Sequence, residues 1–193
     1  MEAFKRICML LTSSYHVVFL DETKKLLTTR LNRVLAKTGV RPCVRVNVKG
    51  NGLYVLVALN ARTKQVYASF TKVLNSRSFM SFLYRLKRLM GRGRVYLVLD
   101  NHFIHRVRYV VKQAGRKGIH MVYMPKYSPE LNPVEVVFSK LSDYLANRLF
   151  LSLDELREAI QEFFEARGYR FNIDPLACIE SAIRSVNLTG KTW

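Results

Sequence analysis

Cysteine and long apolar segments are both scarce in this sequence. The three cysteines lie far apart and form no CxxC pair, so we expect neither a zinc knuckle nor a disulfide framework. They are Cys8, Cys43 and Cys178. No apolar run approaches the roughly 18 residues that cross a bilayer, and no small-residue cleavage site follows the short apolar segment 7–11. These absences predict a cytoplasmic protein that does not use a membrane.

Acidic residues are absent from long stretches of the chain. Seventeen Lys and Arg but no acid lie between Glu22 and Asp100, and six more basic residues but again no acid lie between Asp100 and Glu130. The 193 residues carry a formal net charge of +18, which indicates a polyanionic partner. The charge alone does not distinguish DNA from RNA or from an anionic membrane. RNA is less favoured, because the aromatic stacking motifs of common RNA-binding modules are absent.

Two of the few acids in the first 150 residues follow predicted strands. Asp21 comes after the apolar run 17–20, and Asp100 comes after the apolar run 95–99. Open α/β sheets place their sites at such strand ends. Either residue alone would more often be a turn or cap residue, but the two together in a basic chain favour a divalent cation.

Glu135 is the third acid of this predicted site, 34 residues beyond Asp100. Asn132 and Pro133 suit the N-cap and the first position of a helix, so a capping box is one explanation for Glu135. At about 100° per residue, however, Glu135 lies at the edge of the apolar stripe of that helix, where its side chain can reach a sheet end. We therefore predict that Asp21, Asp100 and Glu135 form one metal site.

Other polar residues near these acids are candidates for shaping the site. Glu22 and Glu130 are alternative ligands, whereas Asp143 falls on the opposite face of the predicted helix. His102 and His105 share roughly one helix face, but no second pair of soft ligands is spaced to complete a zinc site. We interpret these histidines as hydrogen-bonding residues beside the site. The sequence contains neither a Gly-rich phosphate loop nor a nucleophile elbow.

The order of the predicted elements is a β-meander followed by alternating helices and strands. Strands are expected at residues 15–20, 44–48, 53–59, 65–74, 95–99 and 119–124, with a hairpin turn at 49–52 and another turn marked by Gly39 and Pro42. Helices are expected to begin at Ser76, at Asn132, at Ser152 and at Asp174, with another over 104–114 and a helix or entry segment over 1–14. Because 49% of the residues are hydrophobic, we expect a globular protein. The order of the elements predicts one α/β domain with a mixed sheet flanked by helices.

Three stretches carry a resemblance to a known family. They are Phe19-Leu20-Asp21-Glu22, then Leu99-Asp100-Asn101-His102-Phe103-Ile104-His105, and finally Tyr127-Ser128-Pro129-Glu130-Leu131-Asn132-Pro133-Val134-Glu135. Over about residues 15–150, the chain resembles the mariner-type DDE transposases and integrases, in particular their bacterial and archaeal insertion-sequence branch. The last of the three stretches is the most specific.

The resemblance implies a ribonuclease-H-like fold in which Asp21, Asp100 and Glu135 are the catalytic, metal-binding triad. It implies two Mg²⁺ or Mn²⁺ ions about 4 Å apart and a reaction in which DNA is cleaved and then joined to a target. The implied partner is DNA, as element ends and as target, in a prokaryotic cytoplasm. Family members generally act as dimers on paired ends. Asn101 and His105 occupy positions of the family's motifs and are expected to shape the site.

Two features depart from the usual pattern of this family. Phe138 stands where members usually carry Trp, three residues after the glutamate. Only 20 residues precede Asp21, so we expect the N-terminal helix-turn-helix region to be absent or supplied as a separate subunit. The expected organisation is a single catalytic domain over 1–193, with its core at about 15–150 and trailing helices at about 151–187. Two alternatives stay open: a viral or host nuclease or integrase that does not transpose, and a DNA-binding relic that no longer turns over.

Overall fold

A five-stranded mixed sheet forms the centre of the protein. The structure is a computed structural model that describes residues 2–41, 43–48, 50–126 and 128–189. The strands are β1 (His16–Leu26), β2 (Gly52–Asn60), β3 (Val66–Thr71), β4 (Val95–Leu99) and β5 (Ile119–Tyr123), in the spatial order β3-β2-β1-β4-β5. The first three strands are antiparallel neighbours, whereas β4 pairs parallel with both β1 and β5. The predicted mixed sheet, a meander followed by alternating elements, is therefore confirmed.

Helices cover both faces of this sheet. They are α1 (Glu2–Thr12), α2 (Ser76–Met90), α3 (Phe103–Arg106), α4 (Arg108–Arg116), α5 (Val134–Leu145), α6 (Leu153–Glu165) and α7 (Pro175–Thr189), with a 3₁₀ turn at Pro129–Leu131. One hydrophobic core contains residues of α2, α3 and α4, and the other contains residues of α1, α5, α6 and α7. In the described part of the chain, no helix has the length and apolar character needed to cross a membrane.

Strand β1 is longer than the sequence indicated, which changes the position of Asp21. The parallel pairing of β1 with β4 ends at Phe19, but its antiparallel pairing with β2 continues to Leu26. Asp21 therefore lies within β1, paired with Val57, and not at the end of the strand as predicted. The polar residues after Asp21 remain extended because β2 supplies their backbone partners. Asp100 does follow the last residue of β4, as predicted.

The strand expected at 44–48 does not form. This segment has no regular structure, and it meets the chain after β1 through hydrogen bonds such as Thr29 N–H to the Asn47 carbonyl, 2.9 Å. Its alternating valines do not face a core, since Val46 and Val48 are 54% and 82% exposed. The predicted turn residues Pro42 and Lys49 lie outside the described residues.

The helix predicted over 104–114 is interrupted, and α5 ends earlier than its apolar stripe indicated. Val107 adopts an extended conformation (φ −58°, ψ 124°) that separates α3 from α4. At the end of α5, Ala146 is extended and Asn147 has a φ of 59°, so the helix stops at Leu145 and does not continue toward Leu149. The predicted starts of α6 and α7 are confirmed, and Ser152 caps α6 by accepting a hydrogen bond from the Glu155 N–H.

The N-cap of helix α2 lies one residue earlier than predicted. Asn75, not Ser76, is the N-cap: its side chain accepts a hydrogen bond from the Ser78 N–H at 2.9 Å. The Ser78 hydroxyl in turn accepts one from the Asn75 N–H at 3.0 Å. The preference for Asn at this position arises because its short side chain can satisfy a backbone donor that has no partner within the helix.

We expect Asn75→Ala to lower the free energy of unfolding by about 1 kcal/mol, because the cap hydrogen bond is lost. Ser76→Ala is the matched control: Ser76 is already the first helical residue, where Ala has the higher helix propensity, so the change should stay within about 0.5 kcal/mol. Urea denaturation followed by circular dichroism measures both values. Equal losses for the two variants would contradict the assignment of the cap.

Candidate active site

The alternation of side chains along β1 sends its two acids to opposite faces of the sheet. Val17 and Phe19 belong to the core beneath α5, whereas Val18 and Leu20 belong to the core beneath α2. Because successive side chains of a strand point to opposite faces, Asp21 faces the side of α5. Glu22 faces the side of α2, α3 and α4.

The remaining two predicted acids reach the same side as Asp21. Val98 of β4 belongs to the core beneath α5, so Asp100, two residues further along, emerges on that side. Glu135 lies in the first turn of α5. All three acids line one open cavity of about 450 Å³. The structure therefore brings Asp21, Asp100 and Glu135 together around a single space.

The other walls of this acidic cavity come from the loops after β4 and β5. They include Asn101, His102, Met124, Pro125, Lys126, Ser128, Pro129 and Asn132. Among the described residues, no group of three or more His, Cys, Asp or Glu side chains is arranged as a ready-made cation site. The role of the three acids as metal ligands thus stays a prediction. Tyr127, which belongs to the resemblance motif, lies outside the described residues.

Burial and like charge both act on the carboxyl group of Asp21. Burial is the largest cause, and together with the charges of Glu22, Glu135 and Asp100 it raises the pKa of Asp21 to about 7, against a hydrogen bond from the Glu22 N–H that lowers it. The pKa of Glu135 is also raised by partial burial, opposed by the charge of Lys25. Hard oxygen donors that repel one another around an open cavity are the donor set that suits Mg²⁺ or Mn²⁺.

Asp100 is held in its ionised form by a histidine. Burial alone would raise the pKa of Asp100, but hydrogen bonds from the His105 ring and from the His102 N–H lower it. His105 Nδ1 lies 3.0 Å from Asp100 Oδ1, and His105 Nε2 lies 2.9 Å from Glu22 Oε1. Burial alone would lower the pKa of His105, yet these two hydrogen bonds and charges raise it to about 9. His105 is therefore a buried cation whose two ring nitrogens donate to two carboxylates.

The structure separates the candidates for shaping the site into those at the cavity and those away from it. Asn101 Nδ2 donates to the Met124 carbonyl at 2.5 Å, which ties the loop after β4 to the end of β5. His102 is exposed at the cavity, with its ring 4.7 Å from that of Phe103. Glu22 and Glu130, the alternative ligands, do not line the cavity: Glu22 binds His105, and Glu130 is exposed in the 3₁₀ turn.

Asn132 is a site residue whose role the sequence analysis missed. The residue is 2% exposed. Its Nδ2 donates to Asp21 Oδ2 at 3.1 Å, while its Oδ1 accepts from the Val134 N–H at 3.2 Å. The N-cap of α5 is Pro133, one residue later than predicted, and the Asn132 side chain joins the Val134 N–H to Asp21 and orients that carboxylate. The only signal in the sequence for this role is that Asn132 lies directly before Pro133 in the motif that carries the family resemblance.

The sequence of this chain is similar to those of known proteins. Residues 16–157 match the sequence model of the family described as "DDE superfamily endonuclease". An insertion element IS630 uncharacterized 39 kDa protein of Shigella sonnei is 30% identical over 115 residues, which cover 58% of this chain and 34% of that protein. The chain therefore spans about a third of the length of this relative.

Several solved structures share the fold. The Mos1 strand transfer complex matches with a TM-score of 0.74 and 22% identity over 100% of this chain and 62% of that chain. The Mos1 mariner paired end complex with Mn gives 0.73 and 20%, over 100% and 63% of the two chains. The Mos1 transposase catalytic domain with Raltegravir and Mg gives 0.69 and 19%, over 100% and 96%. The expected ribonuclease-H-like fold is thereby confirmed.

We expect Glu22→Ala to lower the free energy of unfolding by about 2 kcal/mol, because it leaves a buried His105 N–H without its acceptor. Glu22→Gln keeps an acceptor oxygen at the same position and should lose clearly less. Urea denaturation in the presence of EDTA measures both. If the two variants unfold at the same urea concentration as the wild type, the contact between Glu22 and His105 does not contribute to stability.

Proposed function

The chain belongs to the DDE superfamily endonuclease family, and from this premise we propose that it catalyses metal-dependent DNA strand cleavage and strand transfer. The observation that carries the proposal is the convergence of Asp21, Asp100 and Glu135 on one cavity in a chain with a net charge of +18. Carboxylates at such a place would repel a DNA phosphate unless a cation lies between them.

The proposed ligands of two Mg²⁺ or Mn²⁺ ions are the carboxylates of Asp21, Asp100 and Glu135. When bound, these ions would polarise the scissile phosphate and stabilise the entering and leaving oxygens. Asn132 orients Asp21, and His105 fixes the carboxylate of Asp100. Two of the three ligands, Asp21 and Asp100, are thus held by a buried neighbour, which helps the precise positioning that a catalytic group requires.

The reaction consists of two displacements at phosphorus. Water first attacks the scissile phosphate and the P–O3′ bond breaks, which leaves a 3′-hydroxyl and a 5′-phosphate. The 3′-hydroxyl then attacks a phosphodiester of the target, forming a new P–O bond and releasing a target 3′-hydroxyl. Neither displacement needs a covalent intermediate with the protein.

DNA, as element end and as target, is the proposed partner, and the basic residues supply largely sequence-independent contacts to its phosphates. Recognition of specific ends by a separate helix-turn-helix segment and action as a homodimer belong to the same proposal, on the basis of the family resemblance. We also propose that 1–193 acts as one catalytic domain, because α6 and α7 contribute to the same core as α5.

We expect Asp100→Asn to reduce plasmid nicking in Mg²⁺ by at least about 100-fold, equivalent to about 2.7 kcal/mol in the barrier. The substitution keeps the shape of the side chain but removes its charge, so DNA binding should persist. Asp143→Asn makes the same chemical change on another face of α5 and should retain the wild-type rate. Asp100→Asn protein that cuts as fast as the wild type would refute the assignment.

Binding of the cation can be measured without catalysis. We expect saturating Mn²⁺ to raise the melting temperature of the wild-type protein by about 5 °C or more, because a ligand at 100 times its Kd stabilises the folded state by about 2.7 kcal/mol. Asp21→Asn and Glu135→Gln should each lose most of this shift, whereas Glu130→Gln should keep it. An equal shift in all three variants would place the cation elsewhere.

A strand-transfer assay with a DNA end whose 3′ strand has been cut beforehand distinguishes a transposase from a nuclease that only cleaves. When such an end is incubated with the protein, Mg²⁺ and a target plasmid, strand transfer should yield covalently joined products on a denaturing gel. Nicked plasmid without joined product would favour the nuclease alternative, and the absence of both products would favour the silent DNA-binding relic.

A further inference from the structure

A second cavity, of about 290 Å³, lies beyond Lys25 along β1, and its lining contains no acidic residue. Four basic side chains line it, together with hydroxyl groups and an apolar base. The basic and hydroxyl residues include Lys24, Lys25, Thr29, Arg30, Ser142 and Arg148. A lining of positive charge and hydroxyl donors that contains no carboxylate suits an anion and not a cation.

Lys25 stands between this basic cavity and the acidic cavity. It follows Asp21 by four residues on β1, so both side chains point to the face covered by α5. The ammonium group is half-buried, donates to Ser142 Oγ at 2.6 Å and lies 5.9 Å from the centre of the Phe138 ring. Its charge acts on Glu135 across the boundary of the two cavities.

The opposite wall of the basic cavity holds a second cation in place. The Arg148 guanidinium lies 4.8 Å from the centre of the Tyr144 ring and 5.5 Å from that of Phe150. Its nearest carboxylate oxygen, on Glu162, is 3.8 Å away, which is a weak and exposed ion pair. Because this ion pair is weak, the Arg148 guanidinium can donate hydrogen bonds to a phosphate while it stays stacked on the rings.

The crowding of positive charge favours an anionic ligand. The pKa of Lys25 is lowered by burial and then by the charge of Arg30, against the charge of Glu135. Backbone contacts hold the surrounding chain, since the Asn147 N–H donates to the Arg30 carbonyl at 2.8 Å. The charges of Lys25 and Arg30 therefore repel one another, and a phosphate between them would relieve this repulsion.

We propose that the basic cavity binds a backbone phosphate of the same DNA strand, within about four nucleotides of the scissile phosphate. The four residues from Asp21 to Lys25 span roughly 13 Å along an extended strand, and one strand of a duplex rises about 3.4 Å per nucleotide. This inference rests on the proposed function, because the scissile phosphate is placed in the acidic cavity. It assigns Lys25 and Arg148 to positioning the strand.

The first test does not depend on catalysis. Binding of a duplex oligonucleotide is measured by fluorescence anisotropy in EDTA over a range of salt concentrations. Loss of one phosphate contact should reduce the slope of log K against log[salt] by about 0.9. We expect this reduction for Lys25→Met, which keeps the apolar stem, and for Arg148→Ala. Lys25→Arg, which keeps the charge, should retain the wild-type slope.

The second test locates the phosphate. After the nick has been mapped, single neutral methylphosphonates are placed at each position within four nucleotides of it, and binding is again measured in EDTA. In the wild type, one position should weaken binding about tenfold, as expected for a charge-assisted hydrogen bond. In Lys25→Met this penalty should disappear, whereas Lys112→Met, on α4 across the sheet, should retain it.

The outcomes separate the two proposals. If wild-type protein nicks DNA but Lys25→Met and Arg148→Ala leave both the salt slope and the methylphosphonate penalties unchanged, the phosphate site is wrong and the proposed function stands. If the salt slope falls as expected but the wild type does not nick in Mg²⁺ or Mn²⁺, the basic cavity binds DNA and the proposed function is wrong.

Discussion

The strict alternation of side chains along β1 is the constraint on which the site depends. A single strand supplies Asp21 to the acidic cavity, Glu22 to His105 on the other face, and Lys25 to the basic cavity. The pairing of β1 with β2 through Leu26 fixes this register. A shift of this register by one residue would move every side chain of β1 to the opposite face of the sheet. The backbone hydrogen bonds of β1 therefore determine which charged side chains reach each cavity.

Hydrogen bonds from neighbouring groups offset the repulsion among the acids of the acidic cavity. Removing water from a carboxylate and placing others beside it both disfavour its ionised form, which is the situation of Asp21. The protein compensates at two points with buried groups that donate hydrogen bonds, Asn132 to Asp21 and His105 to Asp100. Glu22 keeps His105 charged from the opposite face. The site is thus a balanced set of charges and not merely three acids.

Local patterns in the sequence predict the bounds of β4 and the acids of the cavity, but not the end of β1 or the contact between Glu22 and His105. The bounds of β4 coincide with its short apolar run, and the acids predicted from sparse negative charge line one cavity. The extension of β1 beyond Leu20 was missed, since Lys24 and Lys25 are unusual in a strand and are held there by β2. The partnership of Glu22 with His105 joins residues 83 positions apart, which no local periodicity encodes.

The two adjacent cavities differ in the sign of the charge that lines them, and on the proposed function the basic one binds the DNA strand and the acidic one holds the reacting phosphate. On the proposed function, the basic cavity attracts a phosphate whether or not a cation is present, because four basic side chains and no acidic one line it. The acidic cavity would repel a phosphate until the proposed divalent cations neutralise its carboxylates. Lys25 lies at the boundary, near enough to Glu135 for their charges to interact. A strand held on the basic side therefore meets the acidic side only when it is loaded with metal, which couples entry of the scissile phosphate to the presence of the ions that its cleavage requires.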